Sequence, residues 1–353
     1  KWNLEDTATT HRSKLFVDRR TLTGPMLDFL RRRRTSADPV AMLLTGLAGA
    51  GKSGLMAHVA GVLLDGNPPG GGHGVLLMRG EKLVAEPGAR DVLFATLCRG
   101  LGVADNAVTS FADLLRRLDA DRDADLLPDR SFYLLFDGVN EAQRAELVYQ
   151  QVLELVTAGR QYPWLRVIAT VRDEFLGRLR EQLPGTATDP LGALDRLFFC
   201  PGDDVPREYH PPPGRPAWVV PDVTPDERRA MYEQHRAAQP DLCPWDSLDP
   251  DVRDNILVRP LLIRLWVDHF VGRPVGTIHN ATDLFVRYLD GLRGRRPGLT
   301  ENALPRAVDH MLKVGRAVLD DEDAREVGQD ADGVPILEVL VDAGLFGRQV
   351  ALA

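Results

Sequence analysis

The sequence predicts an α/β chain, a parallel sheet with helices on both faces, followed by an all-α helical region and then a winged-helix unit. Two patterns carry this. Short apolar runs alternate with helical segments up to about residue 200, and after a Pro-rich stretch at 201–221 the chain reads as helical almost throughout. Length agrees, because 353 residues exceed one ordinary core and imply two or three units. The boundaries drawn are a leading segment at 1–20, an α/β domain at 21–220, a helical domain at 221–297 and a winged-helix domain at 298–353, its end truncated.

The elements follow in order. Residues 25–34 read as a helix with Met26, Leu27 and Leu30 on one face and Arg31 to Arg34 at its C-terminal end, where cations complement the helix dipole. Val40–Thr45 has strand length and runs into glycines and a helix from Ser53 to Leu64. A second apolar run at Val75–Met78 precedes a helix near Val92–Leu101, and Phe111, Leu114, Leu115 and Leu118 have the spacing of an amphipathic helix. Phe132–Phe136, Leu165–Thr170 and Leu197–Cys200 read as further strands, with Ala145–Val156 helical. Thr224-Pro225-Asp226-Glu227 spells a capping box with Pro at the first helical position, and Leu261–Phe270 and Ala281–Leu292 continue the helical region. After Pro297, Leu304, Val308, Met311 and Leu312 share a helical face. Ile336–Ala343 then ends at Gly344 before Leu345-Phe346, the order of a winged-helix start.

Composition excludes several classes. With 44% hydrophobic and 27% charged residues the chain is globular, and its net charge of −8 argues against a surface built mainly for nucleic acid or anionic lipid. Cys98, Cys200 and Cys243 are three and far apart, so they suggest neither a disulfide framework nor a zinc site, and a reducing, cytoplasmic setting is the expectation. No apolar run reaches membrane-spanning length, and no signal peptide is visible. Beginning at Lys1, the chain is read as a piece of a longer protein. The histidines show no metal-ligand spacing, and no Ser or Cys nucleophile with local His and Asp partners can be assembled.

The chemistry concentrates after the first strand. Gly46-Leu-Ala-Gly-Ala-Gly51-Lys52-Ser53 matches G-x-x-x-x-G-K-[ST] in full, between a strand and a helix. Glycines let backbone N–H groups turn inward around phosphate oxygens at a helix N-terminus. Gly46, Gly49, Gly51 and Gly54 are assigned to this cradle, Lys52 to the β- and γ-phosphates, and Ser53 to Mg²⁺. Gly49 to Gly54 also spells G-x-G-x-x-G, a weaker dinucleotide pattern that has no use for Lys-Ser inside it. Phe132–Asp137 is an apolar strand ending in an acid. It is expected beside the P-loop strand, with Asp137 holding Mg²⁺ and Glu141 polarising the attacking water, although Asp-Gly is equally an ordinary turn signal. Leu165–Thr170 places Arg172 past another strand end, either solvated or reaching a γ-phosphate. The absence of Asn-Lys-x-Asp weighs against a GTPase.

Together these motifs resemble the STAND class of P-loop signal-transduction ATPases, within it the NACHT-like group and its bacterial antiviral relatives. Leu15-Phe-Val-Asp-Arg19 is similar to the segment that lines the adenine pocket, with Asp18 where the family has Gly, which brings Val17 and Arg19 into the site by resemblance. Asp137-Gly138 through Glu141 resembles the family's Walker B, except that Asn140 replaces an acid. Thr170-Val-Arg172 resembles its sensor, and Arg259-Pro260 the helical-domain motif whose proline packs at the nucleotide. The resemblance implies a low-turnover ATP hydrolase with ATP or ADP and Mg²⁺ as cofactors. It would be an ADP-bound switch that homo-oligomerises when ATP-loaded, triggered by an unknown ligand and flanked by effector and sensor modules outside this piece. The alternative is an AAA+ or origin-binding-like ATPase that uses its winged helix on DNA, against which the acids at Glu301, Asp309 and Asp320 to Asp323 speak.

Overall fold

The computed structural model describes residues 16–65, 73–83, 91–104, 107–124, 131–182, 197–203, 205–212, 216–272 and 278–295. The chain divides into two compact units, Lys1–Val223 and Thr224–Ala353. The winged-helix segment at 298–353 lies outside the described residues, as does residue 15 of the leading segment.

Unit 1 is built on a five-stranded parallel sheet. Its elements are α1 (Arg20–Arg31), β1 (Ala41–Thr45), α2 (Lys52–Asp65), β2 (Gly74–Arg79), α3 (Val92–Gly100), α4 (Phe111–Ala124), β3 (Phe132–Asp137), α5 (Ala145–Gly159), β4 (Leu165–Thr170), α6 (Asp173–Gln182) and β5 (Trp218–Val219). The strand order is β2-β3-β4-β1-β5.

Strand residues point alternately to the two faces, and the core divides accordingly. Ala41, Leu43, Leu76, Met78, Leu134, Phe136, Val167 and Ala169 pack with α3, α4 and α5 in one buried cluster. Met42, Leu44, Tyr133, Leu135 and Ile168 pack with α1 and α2 in the other. Both faces are covered by helices, which is why β1, β3 and β4 read as continuous apolar runs rather than alternating ones.

Three expectations change. The acid-ended strand β3 does not adjoin the P-loop strand: β4 pairs with both β1 and β3 and separates them. No sequence pattern encodes that crossover, because each strand's apolar run would suit any buried position. The first helix starts at Arg20 and carries Pro25 inside it, ending at Arg31, so Arg34 lies beyond its end. Arg34 is buried and donates to the carbonyls of Asp38, Gly159, Arg160 and Tyr162, tying the chain before β1 to the end of α5. Burial, then the neighbouring Arg166, lowers its pKa to about 10, so it stays charged at neutral pH. It is therefore neither a dipole complement nor a phosphate ligand. Finally, Leu197–Cys200 makes only an isolated bridge to Ala41 through Phe198, while Trp218–Val219, inside the Pro-rich stretch, pairs with β1 as β5.

In unit 2, α7 (Pro225–Ala238) starts with the capping box complete. The Glu227 N–H donates to Thr224 Oγ1 at 3.3 Å, and the Thr224 N–H donates to the Glu227 carboxylate at 2.9 Å. It packs on α8 (Pro260–Phe270), which packs in turn on α9 (Ala281–Arg295), with Tyr232, Ile263, Trp266, Val267 and Leu284 buried. Asn280 caps α9 by accepting the Asp283 N–H, so the sequon-like Asn280-Ala-Thr282 has a structural purpose.

Candidate functional site

The site lies at the C-terminal ends of the parallel strands, where ligands bind in open α/β sheets. β1 runs out at Thr45 into the loop 46–51, and α2 begins at Lys52. Gly46, Gly49 and Gly51 all have positive φ, 147°, 78° and 95°. A side chain would strain each of them. At Gly46 a Cβ would also stand 2.7 Å from the carbonyl oxygen of Val220, next to β5. Gly54 lies within the first turn of α2 beside the Phe16 ring, which stacks on His58 at 4.2 Å.

Lys52 folds over this loop, its Nζ donating to the carbonyls of Gly46 at 2.6 Å and Leu47 at 3.0 Å. Burial lowers its pKa first, the Arg172 cation second, while Asp173, Asp137 and Glu141 push it up. A cation partly stripped of water and held among carbonyls is poised for a stronger anionic partner.

Asp137 is buried at the end of β3. It accepts the Thr170 hydroxyl at 2.9 Å, and Thr170 Oγ1 in turn accepts the Gly138 N–H at 2.7 Å. Desolvation raises the Asp137 pKa, against which the Ser53 and Thr170 hydroxyls hydrogen-bond to it and lower it. Ser53 and Asp137, assigned separately to Mg²⁺, are thus in mutual contact although a strand separates β1 from β3.

The oxygen pair fits a hard cation. A buried carboxylate whose main partners are hydroxyls is only weakly compensated, by the Arg79 cation, and oxygen is the donor that Mg²⁺ takes. Among the described residues no group of three or more His, Cys, Asp or Glu could hold a metal. Mg²⁺ itself takes one or two protein oxygens and fills its octahedron with phosphate and water.

Gly138, left-handed at φ 68°, turns the chain into a short 3₁₀ segment, Val139–Glu141. Asn140 Oδ1 accepts the Arg172 N–H at 2.9 Å, which commits it to holding the start of α6. Glu141 pairs with Arg172 at 3.0 Å, and both side chains are nearly half exposed. Pairs so exposed are worth about 0–1 kcal/mol, so a phosphate could take Arg172 from Glu141 at little cost. The Thr45 hydroxyl donates to Asp173, linking the ends of β1 and β4 just below the loop.

Of the residues that the resemblance assigns to an adenine pocket, Val17 is half-buried, and Arg19 is buried with Nη1 on the Ala50 carbonyl at 3.1 Å and Nη2 on those of Pro221 and Asp222. Arg19 therefore braces the P-loop against the end of unit 1. Pro260 is the first residue of α8 in unit 2.

Sequence reasoning missed two site residues, Arg79 and Glu81. Arg79 ends β2 in register with Asp137, and Glu81 follows in the 3₁₀ turn Gly80–Lys82. Their signal was faint: a charged residue directly after a half-buried strand.

No protein-family model matches the chain, and no curated protein does. Solved structures do. A Walker-type ATPase of Pyrococcus abyssi is 15% identical, covering 95% of this chain and 91% of that one, with a TM-score of 0.47. A Drosophila ORC structure bound to DNA is 12% identical over 96% of this chain and 79% of its own, TM-score 0.42. Cdc6p from Pyrobaculum aerophilum is 12% identical over 89% and 69%, TM-score 0.42. Unit 1, by its own sheet, loop and acid pair, is an α/β P-loop NTPase core.

Proposed function

We propose that this chain binds ATP or ADP with Mg²⁺ and hydrolyses ATP under control. The observation that carries the reading is the convergence of Ser53 and Asp137 beside the glycine loop and Lys52. Loop amides and the N-terminus of α2 would grip the β-phosphate, and Lys52 would leave the Gly46 and Leu47 carbonyls for the β- and γ-oxygens. Ser53 and Asp137 would hold Mg²⁺, which neutralises phosphate charge when bound. Arg172 would move from Glu141 to the γ-phosphate, releasing Glu141 to orient and deprotonate the attacking water. Turnover in this scheme is limited by that exchange, since Asn140 offers no second base and is spent on α6.

Two finer readings share this core. One is a DNA-associated ATPase of the AAA+ or origin-binding type, the kind of protein two of the similar structures represent. The other is the nucleotide-switched signalling ATPase, ADP-bound at rest and oligomerising with ATP, which rests on the motif resemblance; a cytoplasmic setting belongs to it. Turnover separates them. Hydrolysis stimulated severalfold by duplex DNA supports the first, whereas co-purified ADP with slow, DNA-insensitive turnover supports the second. Lys52→Ala is expected to abolish ADP binding measured by calorimetry, and unchanged affinity in that variant overturns the core assignment.

A further inference from the structure

Val75 and Leu77 of β2 and Tyr133 and Leu135 of β3 all pack on the sheet face that carries α1 and α2. By strand alternation Arg79 and Asp137 project to that same face, and they are register partners on adjacent strands. A guanidinium is thus the cross-strand neighbour of the carboxylate assigned to Mg²⁺. Arg79 does not pair with Asp137, however. It pairs with Glu81 at 3.0 Å, in a contact where both side chains are mostly buried.

The backbone makes this arrangement tight. A Cβ at Gly80 would stand 1.9 Å from the Gly138 carbonyl oxygen and 3.3 Å from the Ala142 nitrogen, so the turn carrying Glu81 lies directly against the turn that follows Asp137.

We propose that Glu81 is a positioning residue for the metal site: by engaging Arg79 it keeps that guanidinium off Asp137, leaving the carboxylate free for Mg²⁺. The inference rests on the P-loop ATPase reading. Unpaired, Arg79 would be a largely buried cation with a carboxylate as its nearest cross-strand neighbour, and pairing with Asp137 would satisfy both at the metal's expense. Two electrostatic observations agree. Arg79 already stabilises the ionised form of Asp137, weakly, behind the Ser53 and Thr170 hydroxyls. Burial raises the Glu81 pKa; Arg79 is the strongest of the groups that favour its ionised form, with Lys82 behind it, while Glu141 and Asp137 oppose it.

The test is calorimetric, on the full chain, titrating ADP at a series of Mg²⁺ concentrations and in EDTA. Glu81→Gln is expected to raise the Mg²⁺ concentration for half-maximal tightening of ADP by about fivefold or more, with ADP affinity in EDTA unchanged. Adding Arg79→Leu to Glu81→Gln is expected to restore the parent's Mg²⁺ dependence, a rescue that a merely structural role would not produce. Arg79→Leu alone, available should Glu81→Gln fail to fold, is expected to leave the Mg²⁺ requirement equal or lower. Parent-like Mg²⁺ dependence in Glu81→Gln, persistence of the defect in the double variant, or a higher requirement in Arg79→Leu overturns the proposal. A parent chain that binds no ADP overturns the ATPase reading itself and this inference with it, distinguishable because the parent arm fails rather than the variants.

Discussion

Asp137 shows at the scale of one residue how this fold holds stability in reserve for a ligand. Burial raises its pKa, so the folded chain binds the proton more tightly than the unfolded chain does. The sign follows: its contribution to stability is fullest below the ordinary Asp range and is lost as pH rises through the raised value, so above that value the ionised group is a liability until a cation arrives. Asn at this position keeps an oxygen to accept the Thr170 hydroxyl but carries no charge. In EDTA, Asp137→Asn is therefore expected to melt higher than the parent at neutral pH, by about 2–4 °C per kcal/mol relieved, with the gap closing as pH is lowered. The same variant should lose the Mg²⁺-dependent tightening of ADP. Equal melting temperatures at neutral pH in scanning calorimetry would show that desolvation of Asp137 is already offset within the chain.

At the scale of elements, the two 3₁₀ turns that follow β2 and β3 set the geometry of the acids, and Gly80 is the residue that permits it. Gly80→Ala would drive a methyl into the Gly138 carbonyl, backbone against side chain with no flexible end to yield. An expected loss of roughly 1–3 kcal/mol in urea unfolding, with a higher Mg²⁺ requirement, tests the contact. Thr224→Ala removes one half of the capping box of α7, is expected to destabilise by about 1 kcal/mol, and should leave ADP affinity untouched, since its partners lie within unit 2. How legible these elements were depends on where their information resides. The P-loop, β3 and α7 were readable because glycine spacing, a buried apolar run and a capping box are local, and each matches its element closely. β5 was not, since two residues in a Pro-rich stretch become a strand only by pairing with Leu44 and Thr45. The insertion of β4 between β1 and β3 was equally hidden, and with it the reason that Thr170 stands beside Asp137. Gly80 looked like any turn glycine, because the carbonyl it approaches lies 58 residues away in sequence.

At the scale of the whole molecule, the two buried clusters that flank the sheet draw, among the described residues, only on unit 1, from Leu22 to Val220. Arg19 closes this unit on itself by reaching from the chain before α1 to the carbonyls of Ala50, Pro221 and Asp222, so the last residues before Thr224 are anchored to the P-loop. A core that is complete within one unit folds without its neighbour. A chain ending at Val223 is therefore expected to unfold cooperatively and to bind ADP in the presence of Mg²⁺, because the loop amides, Lys52, Ser53 and Asp137 all remain. Its affinity is expected within about tenfold of the full chain, a difference of roughly 1.4 kcal/mol, and a larger loss would show that unit 1 does not carry the nucleotide site by itself. Arg19→Leu in this shorter chain removes one buried and two part-buried hydrogen bonds at once, and its expected effect is a loss of cooperativity in thermal unfolding together with weaker ADP binding. Were ADP binding to survive Arg19→Leu unchanged, the P-loop would be holding its shape without the brace, and the coupling between the loop and the end of unit 1 would have to run through the β1–β5 pairing and the close approach of Gly46 to Val220.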